Sequence, residues 1–304
     1  MNNALLFMIP ALIWGSTWLA IRFQLGVVDP VVSVAYRFLA ASGLMLLYCG
    51  VRGIDLRIGL RGHLFVALQG VLLFGVNYWL VYQAELVLPS GLVAVVFSAI
   101  LFANVLNGRI FLGAPIRRPV LAGGLLGFAG LTAVFAQEVT SFSLSNRSVQ
   151  GLGLALASVY MASLGNILSA RNQRAGMTVV QTNTLGMLYG GLIVLAIARA
   201  LGKPLLFDAS LPYVASLVYL SVFGSVLAFA CFLTLLGRIG ADRAAYVALV
   251  MPVIALLLTT LFEGYEWTLP ALLGVALVLA GNFLALRRGR RGRLGAGSKA
   301  SGGS

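Results

Sequence analysis

The side chains that could bind a small molecule are aromatic rings, hydroxyls and amides near the middle of long apolar segments. Trp14 and Thr17 are three residues apart and Tyr78 and Tyr82 are four apart, so each pair falls on one face of a helix. Rings stack on rings and attract cations, and hydroxyls and amides can hold a zwitterion without a buried charge. The candidate binding residues are Trp14, Thr17, Asn77, Tyr78, Tyr82, Ser98, Tyr160, Ser163 and Tyr246, with Trp18, Tyr219, Ser221 and Ser225 beside them.

One charged side chain, Arg37, lies within an apolar segment, about 9 Å from the end of that segment if it is helical. A charge at that depth needs a partner or a path to water. Glu85 or a backbone carbonyl would be a structural partner, and a substrate carboxylate is the functional alternative. No Asp, Glu, Lys or His lies deep in a segment, and His63 is at a segment end. Acid–base or metal catalysis is therefore not expected, and neither is a metal or another cofactor.

The composition predicts an integral membrane protein. Sixty per cent of the 304 residues are hydrophobic and ten per cent are charged, with a mean hydropathy of +0.99, which cannot cover a water-facing surface. Continuous apolar runs of about 20 residues favour transmembrane helices over a barrel. The ten segments are Asn3 to Ile21, Val31 to Val51, Leu64 to Gln83, Pro89 to Phe111, Pro119 to Gln137, Gln150 to Ala170, Thr178 to Ala198, Leu211 to Leu236, Ala241 to Phe262 and Thr268 to Leu286.

The loop charges predict which side each loop faces. If both termini are cytoplasmic, sixteen of the 21 Lys and Arg residues lie on the inner side and only four on the outer side. The positive-inside rule thus predicts cytoplasmic N- and C-termini in a bacterial-type inner (plasma) membrane. It also explains the net charge of +13 without nucleic acid as a partner. The lipid bilayer and a small-molecule substrate are the expected partners, and the sequence leaves the oligomeric state open.

The second half of the sequence repeats the first. A shift of 151 residues pairs Phe111 with Phe262, Gly113 with Gly264, Pro119 with Pro270, Gly123 with Gly274 and Gly130 with Gly281. A unit of five helices is odd in number, so the second copy must enter the membrane from the opposite side. The fold class is therefore an all-α membrane protein of ten transmembrane helices in two inverted five-helix repeats, with a binding site expected near the midplane between them.

Small residues and one proline have predicted roles in helix packing. Gly123, Gly127 and Gly130 lie on successive turns of the fifth segment, and Gly274 and Gly281 lie on the tenth, which predicts close helix contact. Pro252 removes a backbone hydrogen bond in mid-membrane. It is either a gating hinge or ligand site, or a packing feature.

Several motifs resemble the EamA-type carriers of the drug/metabolite transporter superfamily over nearly the whole chain. They are Trp14–Trp18, Pro30 with Tyr36–Phe38, Phe111–Gly113, Ala248–Val253, Phe262–Gly264 and Gly274–Asn282. The resemblance implies ten helices, a central cavity and export of small metabolites by alternating access. The first half departs from the pattern at Ala114-Pro115 and has Leu101 where the second half has Pro252. The many aromatic residues are similar to those of YddG-type exporters of aromatic amino acids.

The resemblance implies residues 1–137 as a first EamA repeat, 138–149 as an outer linker and 150–288 as a second repeat. The Gly, Ser and Arg composition of residues 289–304 predicts a disordered basic cytoplasmic tail. The predicted function is export of aromatic amino acids or related amphipathic compounds. A nucleotide-sugar or lipid-type carrier is the alternative within the superfamily, and it would favour a more basic cavity. A channel and an intramembrane enzyme are alternatives from other classes, but no charge ring and no reactive constellation is visible.

Overall fold

The computed structural model describes residues 1–88, 90–140, 142, 146–263 and 267–287, and all of its regular elements are helices. The predicted all-α class is confirmed. The predicted tail and the side chain of Trp18 lie outside the described residues. The helices are α1 (Asn3–Arg22), α2 (Pro30–Arg52), α3 (Leu60–Glu85), α4 (Ser90–Phe97 and Ile100–Leu112), α5 (Arg118–Val134), α6 (Asn146–Arg174), α7 (Val179–Ala200), α8 (Leu211–Ile239), α9 (Ala241–Ala244 and Tyr246–Glu263) and α10 (Leu269–Arg287), with a short helix at Ala136–Thr140 after α5.

Each of the ten predicted apolar segments corresponds to one of these ten helices. Within the described residues, α2, α3, α4, α6, α7, α8 and α9 are long and apolar enough to cross a membrane, and the apolar stretches of α1, α5 and α10 are shorter. The observed ends differ from the predicted ones by several residues. Glu85, predicted just beyond the third segment, is the last residue of α3.

Local sequence signals set several helix ends. Asp29 accepts a hydrogen bond from the Val31 amide at 3.1 Å, and Pro30 occupies the first turn of α2, where its missing N–H costs no helical bond. The same helix ends at Gly53, which has a φ of +63° that favours glycine. At the start of α7, Thr178 and Gln181 form a capping box. These caps explain where α2 begins and ends and where α7 begins.

Contacts between helices recur in pairs related by the 151-residue shift. The helix pairs α2–α7 and α5–α10 each join a segment to its own counterpart. The α1–α9 contact corresponds to α6–α4, and the α1–α8 contact corresponds to α6–α3.

The α5–α10 pair packs through glycines, as the sequence predicts. A Cβ on Gly130 would lie 2.6 Å from the Gly274 carbonyl oxygen, and a Cβ on Gly123 would lie 2.5 Å from the Gly281 carbonyl oxygen. The two backbones are therefore closer than any larger residue allows. In a membrane, where lipid tails are as apolar as leucine, such close packing drives helix association.

Two π-helical segments, which the sequence did not predict, interrupt α3 and α8. They span Val71–Val76 and Leu220–Leu227 and lie close to equivalent positions of the two halves. The first contacts α7 and the second contacts α1 and α2. π-Helical turns change the direction of the side chains that follow and are frequent at functional sites.

We expect Gly130→Ala to destabilise the protein by about 1–3 kcal/mol because the new methyl group meets backbone atoms of α10. Gly153→Ala in α6 is the matched control, since a Cβ there meets nothing within 4 Å. The measurement is unfolding of both variants in detergent, followed by circular dichroism. Equal stability of Gly130→Ala and Gly153→Ala would contradict the packing described for α5 and α10.

Candidate functional site

A cavity lies in the middle of the helix bundle, and residues of α1, α2, α3, α4, α6, α8 and α9 line it. The space between its walls, which includes space open to solvent, has a volume of about 800 Å³. Most of the lining is apolar. The polar side chains in the lining are Thr17, Arg37, Asn77, Tyr78 and Asn166. The cavity therefore combines an apolar wall with a few polar groups, as ligand sites generally do.

Arg37 is the charged side chain of this cavity, and it is only 1% exposed. Its Nε donates a hydrogen bond to the Ser225 hydroxyl at 2.9 Å. Its guanidinium carbon lies 4.8 Å from the ring centre of Tyr78 and 5.3 Å from that of Phe38, within the range of cation–π attraction. Nη1 is buried and has no hydrogen-bond partner. The guanidinium thus retains a donor that no acceptor among the described residues satisfies.

The π-helical segment of α8 holds Arg37 and Trp14 in position. Ser225 accepts from the Arg37 side chain, and Ser221 donates to the Arg37 carbonyl at 3.2 Å. The Gly224 carbonyl accepts from Trp14 Nε1 at 2.9 Å. A Cβ on Gly224 would lie 3.1 Å from Arg37 Nη2. This segment therefore supplies both the polar contacts and the space that the arginine needs.

Aromatic rings form much of the cavity wall. The Trp14 ring makes edge contacts with Phe229 at 4.9 Å and with Phe232 at 5.2 Å between ring centres. Tyr78 makes an edge contact with Phe38 at 4.9 Å and a longer one with Phe229 at 6.3 Å. Such edge-to-face contacts are favourable for aromatic pairs. They leave a wall on which another aromatic ring could pack.

Several of the residues predicted from sequence line this cavity. They are Trp14, Thr17, Asn77, Tyr78 and Arg37. Tyr82 lies one turn beyond Tyr78, is buried and interacts electrostatically with Arg37, but it does not line the cavity. Ser221 and Ser225 contact Arg37 from α8, and Tyr219 bonds Ser16 at 2.6 Å.

The other predicted binding residues lie elsewhere. Ser98 donates to the Val95 carbonyl in its own helix, and Ser163 accepts from the Asn107 amide. Tyr246 is buried and donates to the Val120 carbonyl, which joins α9 to α5. Tyr160 is 45% exposed and does not line the cavity. These side chains satisfy interhelical or local bonds, or face outward, instead of facing the cavity.

Glu85 and Arg37 do not form an ion pair in the structure. Arg37 is occupied by Ser225 and two aromatic rings, and no carboxylate among the described side chains lies within ion-pair distance of it. Glu85 Oε1 is buried without a hydrogen-bond partner, and both charges act on the intervening Tyr82 in α3. Among the described residues, no three His, Cys, Asp or Glu side chains are placed to hold a metal ion.

Pro252 lies beside the cavity. It is inside the α9 helix, next to Met251, and four residues after Ala248, both of which line the cavity. Pro252 lacks the backbone N–H that would otherwise bond the Ala248 carbonyl. A Cβ on Gly15 would lie 2.7 Å from Ile254, so α1 packs closely against this part of α9.

Sequence reasoning missed Asn166, Phe229 and Phe232, which line the cavity from α6 and α8. Asn166 is an amide in the middle of an apolar helix, and a polar residue at such a position could have indicated a cavity-lining residue. The two phenylalanines carry no such signal, because phenylalanine is common on every face of a membrane helix.

The sequence profile of the EamA-like transporter family matches residues 1–136 and again residues 149–287. The chain belongs to the EamA-like transporter family. It is 30% identical over 275 residues to the uncharacterized inner membrane transporter YedA of Escherichia coli, with 88% of this chain and 87% of that protein covered. It is 25% identical over 283 residues to protein PagO of Salmonella typhimurium, with 93% and 92% covered.

Two further likenesses cover the chain almost end to end. A probable amino-acid metabolite efflux pump of Salmonella typhimurium is 22% identical over 290 residues, with 93% of this chain and 94% of that protein covered. A solved crystal structure superposes with a TM-score of 0.79 at 20% identity over 95% of this chain and 98% of that one, which supports the fold. This EamA protein is a multi-pass membrane transporter of a bacterial inner membrane.

The free donor on Arg37 generates a prediction about stability. Replacing a buried, incompletely paired charge with a neutral side chain is often neutral or stabilising. We therefore expect Arg37→Gln in this EamA transporter to unfold in detergent with a stability within about 1 kcal/mol of the parent protein, or higher. Loss of folded protein on size-exclusion chromatography would instead assign Arg37 to the scaffold.

Proposed function

We propose that this transporter exports aromatic amino acids or related amphipathic aromatic compounds through the central cavity by alternating access. The observation that carries the proposal is a buried guanidinium with a free Nη1 in a cavity walled by Trp14, Phe229 and Phe232. A substrate carboxylate would satisfy that donor with a charge-assisted hydrogen bond. An aromatic substrate side chain would pack on the rings.

The proposed mechanism requires two states related by the repeat. We propose ten transmembrane helices in two inverted repeats, residues 1–137 and 150–288, joined by an outer linker at 138–149, with both termini cytoplasmic. The double match to one family profile and the helix contacts paired by the 151-residue shift support this arrangement. The loop with Arg109, Arg117 and Arg118 is also opposite in charge to its counterpart with Glu263 and Glu266, which supports the inversion. In such carriers one repeat rocks against the other around a midplane site.

One relative supports outward transport as the direction and amino acids as the substrate class. The Salmonella protein named a probable amino-acid metabolite efflux pump matches over 93% of this chain. Its name pairs amino-acid metabolites with efflux, and an amino acid offers the carboxylate that Arg37 lacks. We therefore favour outward transport of amino acids over uptake.

The alternatives fit the cavity less well. A nucleotide-sugar or lipid-type carrier would bind phosphates, which favours several cations, whereas Arg37 is the cation in the cavity lining. An intramembrane enzyme would need paired carboxylates, a histidine cluster or a nucleophile with its base. The polar residues described in the lining are a hydroxyl, a phenol, two amides and one guanidinium.

Transport in proteoliposomes tests the proposal. We expect uptake of labelled phenylalanine and tryptophan and little uptake of threonine, because threonine cannot pack on the aromatic wall. Arg37→Gln should reduce phenylalanine transport about tenfold or more, since it removes a hydrogen bond between two charged groups. Arg199→Gln, an exposed arginine in the last turn of α7, is the control and should transport normally. Transport of threonine alone would refute the aromatic assignment.

A second prediction concerns the proposed hinge at Pro252. Pro252→Ala restores an N–H that can bond the Ala248 carbonyl, which should stiffen α9. We expect slower phenylalanine transport with unchanged phenylalanine binding. Pro212→Ala is the control, because a proline in the first turn of α8 removes no helical bond. A normal transport rate for Pro252→Ala would exclude the hinge.

A further inference from the structure

Two buried asparagines line the cavity and each has an amide oxygen without a hydrogen-bond partner. They are Asn77 in α3 and Asn166 in α6, which are 3% and 1% exposed. Buried polar atoms are nearly always paired, and one left unpaired costs free energy. Asn77 and Asn166 differ from the other asparagines with unpaired buried atoms because both line the cavity, where a ligand could supply the missing hydrogen bonds.

The orientation of each amide follows from its neighbours. Asn77 Nδ2 donates to the Leu73 carbonyl at 3.2 Å, and a carbonyl only accepts, so Oδ1 must be the free atom. Asn104 Nδ2 donates to the Ala241 carbonyl at 3.1 Å, which turns Asn104 Oδ1 toward Asn166. Asn166 Nδ2 lies 3.5 Å from that oxygen. Each of these two series of hydrogen bonds ends on a backbone carbonyl, which can only accept. The unpaired atom of Asn77 and of Asn166 is therefore the amide oxygen, an acceptor.

The residues that line the cavity therefore include a guanidinium with an unpaired donor, Arg37 Nη1, and two amides with unpaired acceptor oxygens. We propose that Asn77 and Asn166 bind the ammonium group of the substrate, while Arg37 binds its carboxylate. This inference rests on the proposed function and narrows the substrate class to compounds that carry both groups. An ammonium has three donors to offer, and amide oxygens accept them well.

Neutral acceptors suit a cavity that already holds an arginine. A carboxylate in the same low-dielectric space would attract the Arg37 guanidinium and compete with the carboxylate of the substrate. Amide oxygens accept from an ammonium without neutralising Arg37. The two amides also favour ligands with an ammonium group over ligands without one, because a site with buried acceptors rejects a ligand that leaves them unpaired.

The test compares two ligands that differ only in the ammonium group: L-phenylalanine and 3-phenylpropionate. Equilibrium binding of each labelled compound is measured on the purified full-length transporter in detergent. We expect the parent protein to bind L-phenylalanine about tenfold or more tightly than 3-phenylpropionate. Asn166→Leu and Asn77→Leu should each weaken L-phenylalanine binding by about that factor and leave 3-phenylpropionate binding unchanged.

Two asparagines outside the cavity have the same hydrogen-bond pattern as Asn77 and Asn166, and they serve as controls. Asn282 donates to the Val278 carbonyl and Asn107 donates to Ser163, and both keep a buried free oxygen. Asn282→Leu and Asn107→Leu should leave the ratio of the two affinities unchanged. Because the ratio is measured within one folded variant, general destabilisation does not alter it. If one cavity variant fails to fold, the other gives the same comparison.

The outcomes separate the two proposals. Equal weakening of both ligands in the cavity variants, or no weakening of either, overturns the ammonium site and leaves the carboxylate site intact. A parent protein that binds 3-phenylpropionate as tightly as L-phenylalanine also overturns it. Binding of neither ligand by the parent protein refutes the proposed function and this inference together.

Discussion

A guanidinium buried inside a membrane protein without a carboxylate beside it is the constraint on which the site depends. Arg37 is stabilised by one hydroxyl and two aromatic faces, which compensate only part of its lost hydration. The π-helical segment of α8 brings Ser225 to the guanidinium and leaves space at Gly224. Nη1 makes no hydrogen bond among the described residues, and we interpret that deficit as the capacity to bind an anion.

The two halves make corresponding helix contacts but differ in the side chains that they place around the cavity. Trp14 corresponds to Gly165 under the 151-residue shift, and Gly224 corresponds to Leu73. The Trp14 indole donates to the Gly224 carbonyl, whereas at the equivalent contact between the halves a Cβ on Gly165 would lie 2.6 Å from the Cβ of Leu73. One large and one small residue exchange places between the halves. The two halves therefore line the cavity differently: Trp14, Arg37 and Tyr78 come from the first half, and Phe229 and Phe232 come from the second.

The sequence predicted the helices and close helix contact at the glycines of α5 and α10, although not that these two helices are partners, because apolar length and small-residue spacing are strong signals in a membrane protein. It identified Arg37 because charges are rare at that depth. It could not tell Tyr78, which lines the cavity, from Tyr160, which does not. A helix that is apolar on every side has no periodicity that reveals its inward face. The π-helical segments in α3 and α8 also change which side chains point inward, and no residue pattern in the sequence predicts these segments.

The structure of the transporter with 4-bromo-L-phenylalanine bound would test the central claim most directly, because anomalous scattering locates the bromine. We expect the bromine to lie against Trp14, Phe229 and Phe232, and the ligand carboxylate to lie about 3 Å from Arg37 Nη1. A ligand bound in the cavity with its carboxylate away from Arg37, or bound outside the cavity, would contradict that claim.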